Sequence, residues 1–307
     1  MWNLYALYQG QWIDILKYCN NLSWSDDADT LAVSLSFDSI LDLPEARTHL
    51  MLKKDSKTVF AGVIVNKANK DKSSSYTAMD YAFYLNKNDV MIQFNTNAKT
   101  AIETLCNKFG IKHNIITLNT AINKFYKDKK ISEVIDDILT QCQNETGSIY
   151  IKEMQGDTLY IYNLDNLKLD CKYAMSNDFN ITRSMEDMVN NVIVVSTEES
   201  DSRILENIKD DMNIGIFGQL TEMLTVDKEN ESQARNTAKN YLNQYNKTKK
   251  EMTVTLLDIE NCEDIRANRK IYIPIQKYGM DGYYRVKSAQ HTLANNNHKI
   301  AITVDFS

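Results

Sequence analysis

An α+β fold made mostly of β-structure is what this sequence predicts, and three observations carry the prediction. Short alternating apolar segments bounded by polar turns fill both ends of the chain. Two stretches with apolar residues at helical spacing stand side by side in the middle. The last segment reads as a β-hairpin with one dry face. The resulting order is a β block over residues 1–90, a small α+β block over 91–172 and a second β block over 173–307.

Each element follows from its own pattern. Val33, Leu35 and Phe37 alternate with Ser34 and Ser36, residues 59–65 form a nearly continuous apolar strand, and residues 76–81 resume extended structure after the polar turn at 70–75. Strands this short and this closely spaced suggest a barrel or a sandwich. In the middle block Ala98, Ala101, Ile102, Leu105, Cys106 and Phe109 make one apolar helical stripe, so Leu105 is expected in a core. Thr96 or Asn97 suits the helix start and Gly110 the stop. Ile131, Val134, Ile135, Ile138, Leu139 and Cys142 repeat the pattern before Gly147, and residues 148–152 and 158–162 form a hairpin around Gly156. Each helix has a single stripe and must bury it on the other or on the hairpin.

In the C-terminal block, residues 192–195 read as a buried strand, 197–211 as a polar acidic loop and 220–226 as extended. One inserted helix is expected near 230–246, capped by Asn230 and Gln233. Residues 252–256 and 271–275 alternate, and Pro274, which has no N–H for a ladder, puts the second of these at an edge. In the closing hairpin Ile300, Ile302, Val304 and Phe306 share the dry face, and asparagines 295–297 supply the turn. This hairpin is expected to close a sheet.

Bulk properties narrow the function. At 307 residues the chain can hold two or three domains with real cores. A net charge of −6 disfavours ordinary nucleic-acid binding, and no apolar window is long enough to span a membrane. Cys19, Cys106, Cys142, Cys171 and Cys262 are scattered, odd in number and without a C-x-x-C pair, as expected of free thiols made in a reducing cytoplasm. Seventeen tyrosines suit half-buried sheet surfaces and interfaces.

No catalytic, cofactor-binding or metal-binding residue set emerges, and the chain is read as no enzyme with no cofactor. The histidines His49, His113, His291 and His298 lack metal or triad spacing. His291 and His298 flank the hairpin turn and could face each other, with solvated strand-end positions as the plain reading and a zinc pair as the sharper one. Carboxylates cluster at Asp26, Asp27 and Asp29, at Asp136 and Asp137, at Glu186 and Asp187, at Glu198, Glu199 and Asp201, and at Asp210 and Asp211. An acid–base pair needs two carboxyls in different environments of one cleft. Neighbours along a strand point to opposite faces, and those in loops are solvated. Asp136 and Asp137 are expected opposite the apolar stripe, in solvent, while Asp26–Asp29 lack the remaining ligands of a calcium loop. Gly215 and Gly218 read as a turn or bulge.

Several segments together resemble one family. These are Leu22-Ser23-Trp24-Ser25 with the strand at 31–37, Val59-Phe60-Ala61-Gly62-Val63-Ile64, residues 77–88, the helix at 100–110 and Ser184-Met185-Glu186-Asp187-Met188-Val189-Asn190-Asn191-Val192. The hairpin at 284–306, with His291-Thr292-Leu293, completes the set. They are similar to the baseplate hub proteins of contractile phage tails and phage-like bacteriocins, found in prophages of Gram-positive bacteria and related to the hubs of large contractile phages and type VI spikes. The resemblance implies two tube-type antiparallel β-barrel domains flanking the small α+β domain. It implies a homotrimer closing a pseudo-sixfold ring between tail tube and central spike. Tail tube protein, a separate spike protein, other baseplate proteins and the tape measure are the implied partners. The implied location is a virion tail baseplate or bacteriocin particle, after synthesis in the bacterial cytoplasm. From the residues alone, a tail-tip cell-wall hydrolase and a host carbohydrate- or ligand-binding β protein stay open. In the segment at 184–192, Glu186 and Asp187 are expected to make structural hydrogen bonds and to start the second β block.

Overall fold

Alternation in the N-terminal block becomes seven strands: β1 (Trp2–Tyr8), β2 (Gln11–Asp14), β3 (Cys19–Asp27), β4 (Ser34–Ser39), β5 (His49–Lys54), β6 (Lys57–Asn69) and β7 (Ser74–Asp80). The structure, a computed structural model, describes residues 1–44, 48–196, 203–226 and 228–306, without the side chains of 229 and 230. The middle block holds α1 (Ala82–Leu85), β8 (Asp89–Asn97), α2 (Ala98–Lys108), β9 (Lys112–Ile115), β10 (Ala121–Lys130), α3 (Ile131–Thr146), β11 (Tyr150–Gln155) and β12 (Thr158–Asn163). The C-terminal block holds β13 (Lys172–Ser184), β14 (Asn191–Ser196), β15 (Ile204–Lys209), α4 (Asp211–Phe217), β16 (Thr221–Val226), α5 (Ala234–Tyr245), β17 (Lys249–Glu260), β18 (Lys270–Ile275), β19 (Met280–Ala294) and β20 (Asn297–Asp305).

Both helical stripes are core. Asn97 caps α2 by accepting from the Thr100 N–H at 2.9 Å, and the helix buries Ala98, Ala101, Ile102, Leu105 and Cys106. In α3 the Glu133 carboxylate accepts from the Lys130 N–H, and Gly147 ends the helix at φ 74°. The two stripes pack with Met154, Leu159 and Ile161 of the β11–β12 hairpin. The structure adds two features to this block: a ribbon of β8 with β10, and parallel pairing of β9 with β12.

Twelve strands of the two outer blocks form one sheet, in the order β13-β17-β20-β19-β3-β4-β7-β6-β5-β1-β2, with β18 also on β19. All its pairings are antiparallel. The closing hairpin, expected to close a sheet, lies near the middle of this one, between β17 and β3. Asn295 and Asn296 turn it at φ 51° and 61°. One edge of β19 pairs with β20 over residues 285–294, while the other pairs with β18 over residues 280–285 and with β3 over 288–293. Among the described strands β18 pairs only with β19, with one bridge from its Lys270 to Lys168, so Pro274 does sit on an edge strand.

Register makes the two blocks continuous. Leu256, Ile300, His291, Trp24, Leu35, Ala78 and Ile64 are opposite one another in turn across seven strands, and all are buried. One residue along, Thr255, Ala301, Gln290, Ser25, Ser34 and Met79 form the outward row. Period-two alternation thus separates core from surface over the whole sheet. One core lies under the N-terminal strands around Trp2, Trp24, Phe37 and Tyr76, and another under the C-terminal strands around Leu256, Ile271 and Ile302.

The C-terminal block departs from a single β unit with one helix. β14, β15 and β16 form a separate sheet covered by α5, with its own small core of Val192, Val194, Ala234, Ala238 and Leu242. Part of the expected acidic loop at 197–211 is strand β15, and α4 follows it. The inserted helix begins at Ala234 after a 3-10 turn, and Gln233 makes no side-chain cap. The Asn230 side chain of the expected cap lies outside the described residues.

Candidate functional site

The alternation that places Ile300 inward also places His298 inward, two residues earlier. His291 and His298 are therefore buried, correcting the solvated strand-end reading, though they do face each other. His291 Nδ1 lies 2.8 Å from His298 Nε2, His291 Nε2 lies 2.6 Å from the Ile265 carbonyl, and His298 Nδ1 lies 2.8 Å from Asp258. Asp258 also accepts from Lys54 at 3.0 Å, and Lys54 reaches Glu263 at 2.8 Å. Burial opposes the Asp258 carboxylate, but His298 and Lys54 hold its pKa below the ordinary value. Burial likewise opposes the Lys54 ammonium, yet Glu263 and Asp258 hold it above its ordinary value.

Hydrogen bookkeeping follows from these contacts. The Ile265 carbonyl and the Asp258 carboxylate accept, so His291 Nε2 and His298 Nδ1 donate. Burial, then the neighbouring His298, lowers the His291 pKa to about 3. Burial also draws His298 below its usual range against the pull of Asp258. Trp24 stacks on His291 with centroids 4.7 Å apart, and Trp2 meets His298 edge-on at 5.1 Å. Lys54, Trp2 and Trp24 come from the first block and the two histidines and Asp258 from the last, so this network ties the two together. Among the described residues no three histidine, cysteine or acidic side chains are grouped to hold a metal ion.

A second buried network brings in the middle block. Arg266 donates to Asp26 of β3 at 3.2 Å and pairs with Glu153 of β11 at 3.1 Å, and Arg269 grips Glu153 with two nitrogens at 2.7 and 2.8 Å. Asp26 is thus no solvated calcium-loop carboxylate: it faces inward with Trp24 and accepts the Ala267 N–H. Burial keeps its pKa above the usual carboxylate range in spite of Arg266. Burial would raise Glu153 too, but Arg266 and Arg269 hold it down. Asp80 is buried beside this network, its Oδ1 accepting from the Ala82 N–H, and burial lifts its pKa to about 7.

The other sequence candidates do not converge. Asp136 is exposed and pairs with Lys152 at 2.5 Å, whereas Asp137 is half-buried between Lys124, Tyr126 and Gln141. Glu186 and Asp187 sit exposed on a turn between β13 and β14. Asp187 accepts from Lys249 at 3.0 Å, whereas the Glu186 side chain is exposed and only its N–H is bonded, to Ser184 Oγ at 3.1 Å, so of the expected structural hydrogen bonds the one at Asp187 is formed. Asp210 caps α4 through the Met212 and Asn213 N–H groups, and Gly218 ends that helix at φ 81°. Glu198, Glu199 and Asp201 lie outside the described residues. His49 bonds the Tyr81 hydroxyl and His113 the Ile111 carbonyl. Over the outward row, a cleft of about 1490 Å³ opens between the sheet and α3, lined by Ser25, Thr140, Thr255, Gln290 and Thr303 among others. Asp26, Asp27, Asp29, Asp136 and Asp178 line it too, Asp26 bound by Arg266 and Asp136 by Lys152.

Sheet and insert recur in solved structures. A tail protein from Neisseria meningitidis superposes with a TM-score of 0.73 at 12% identity, covering 99% of this chain and 96% of that one. Prophage tail protein gp18 from Listeria monocytogenes gives 0.65 at 10% identity, with 99% and 94% covered. An Escherichia coli component of the type VI secretion system, described as structurally similar to the T4 phage tail proteins gp27 and gp5, gives 0.52 at 11% identity, with 93% and 73% covered. At these identities the likeness is one of fold. No curated protein matches the sequence. Residues 22–305, from Leu22 within β3 to the end of β20, match the family described as YQBQ-like, and the chain belongs to that family.

Proposed function

We propose that the chain is the structural baseplate hub of a contractile injection particle. Three copies close a pseudo-sixfold ring that joins the tail tube to the central spike. In this reading residues 1–90 and 173–307 are the two tube-type β domains and 91–172 is the small α+β domain between them. Tube, spike, other baseplate proteins and the tape measure are the partners, and the virion tail or bacteriocin particle is the location.

One observation carries the reading: the shared sheet ends on β13, a 13-residue strand that among the described residues pairs only with β17. A long free edge is a template for another chain and is usually covered in the working assembly. The whole-chain likeness to tail proteins points the same way, as do the exposed Tyr272, Tyr278 and Tyr283 beside the edge strand β18. The three similar structures, two tail proteins and a type VI secretion component, favour this reading over the hydrolase alternative.

Light scattering on the purified chain, alone and with tail tube protein, tests the proposal. A trimer is expected in at least one condition. A chain that stays monomeric in both and binds neither tube nor spike protein overturns it.

A further inference from the structure

The ladder between β13 and β17 ends at the pair Lys172–Glu260, with Cys171 just before one strand and Cys262 just after the other. Asn261, in the left-handed region at φ 60°, turns Cys262 back over the strand end. Cys262 Sγ then donates to the carbonyl of Lys172, the neighbour of Cys171, at 3.0 Å. Cys262 is fully buried, Cys171 is half-buried, and both belong to the core under the C-terminal strands. We infer that Cys171 and Cys262 are an oxidisable dithiol, which peroxide converts to an intramolecular disulfide that staples the free edge strand β13 to the turn after β17. The inference stands whether or not the chain assembles into a ring.

Roles within the pair are unequal. The neighbouring Cys262 thiol lowers the Cys171 pKa, while Cys171, then burial, raises that of Cys262. Cys171 is also the more accessible sulfur, so it is the attacking thiolate and Cys262 the resolving thiol. Cys171 takes one oxygen from hydrogen peroxide, giving a sulfenic acid and water. The Cys262 sulfur then attacks the Cys171 sulfur, the S–O bond breaks, and hydroxide leaves with the Cys262 proton as a second water. Two electrons pass from the two sulfurs to peroxide.

Stoichiometric hydrogen peroxide on the reduced full-length chain, followed by alkylation and peptide mass mapping, reads the outcome. Expected are the loss of two of the five thiols, a Cys171–Cys262 cross-linked peptide and a rise in Tm that dithiothreitol reverses. Cys262→Ser should trap a dimedone-reactive sulfenic acid at Cys171, and Cys171→Ser should give none at Cys262. Five alkylated thiols after peroxide, or a cross-link through Cys19, Cys106 or Cys142 instead, overturn the inference, and the wild-type map decides it even if a variant fails to fold.

Discussion

His291 is fully buried, and its environment keeps it neutral: its pKa in the fold is about 3, against an ordinary value near 6.5. The fold therefore favours the unprotonated ring. Its contribution to stability is complete above pH 6.5 and falls as pH drops towards 3, by about 1.4 kcal/mol per pH unit. Asp80, lifted to about 7, contributes the opposite slope over this range, so the difference carries the test: at pH 7, 6 and 5, urea unfolding of the wild type and of His291→Asn should differ in slope by about one proton. Equal slopes for the two would show that His291 does not titrate with unfolding. Parity could have placed these rings: His298 shares the face of Ile300, Ile302 and Val304, and His291 that of Ala289 and Leu293. The partners Asp258, Lys54 and Ile265 were beyond the sequence, because each lies on a different element.

Element by element, the local patterns were legible where one periodicity ruled. α2 and α3 carry clean stripes, and the closing hairpin carries alternation with an asparagine turn. β15 was not legible, since Ile204, Leu205 and Ile208 are diluted by Glu206 and Lys209 in an acidic stretch. Gly62 shows what a strand glycine can mean. A Cβ there would lie 2.1 Å from the Met79 carbonyl oxygen, so β6 and β7 approach too closely for any side chain. Gly62→Ala is expected to destabilise by about 1–3 kcal/mol or more, read as a lowered urea midpoint. An unchanged midpoint would mean that the two strands separate at little cost.

Across the whole molecule, Arg266 is the residue on which all three blocks converge. It lies between β17 and β18, holds Asp26 of the first block and Glu153 of the second, and is itself largely buried. Removing it leaves Asp26 with the Ala267 N–H alone while Glu153 keeps Arg269, so Arg266→Ala should cost about 3 kcal/mol. That loss would appear as a lower urea midpoint and, if the blocks part before they unfold, as a second transition. A single unshifted transition would show that the blocks do not rely on this residue.

By itself the sequence determined the class of the chain, the helical stripes, most strands and the faces they bury, because periodicity acts over neighbouring residues and hydrophobic burial follows it. It determined the family as well, through short segments kept in order. Only the tertiary structure decided that both β blocks share one sheet, that β19 is the strand joining them, and that His291, His298, Asp26 and Arg266 lie at the seam. Those outcomes rest on pairings between residues far apart in the chain, and a strand's alternation states which face is buried without stating against which partner.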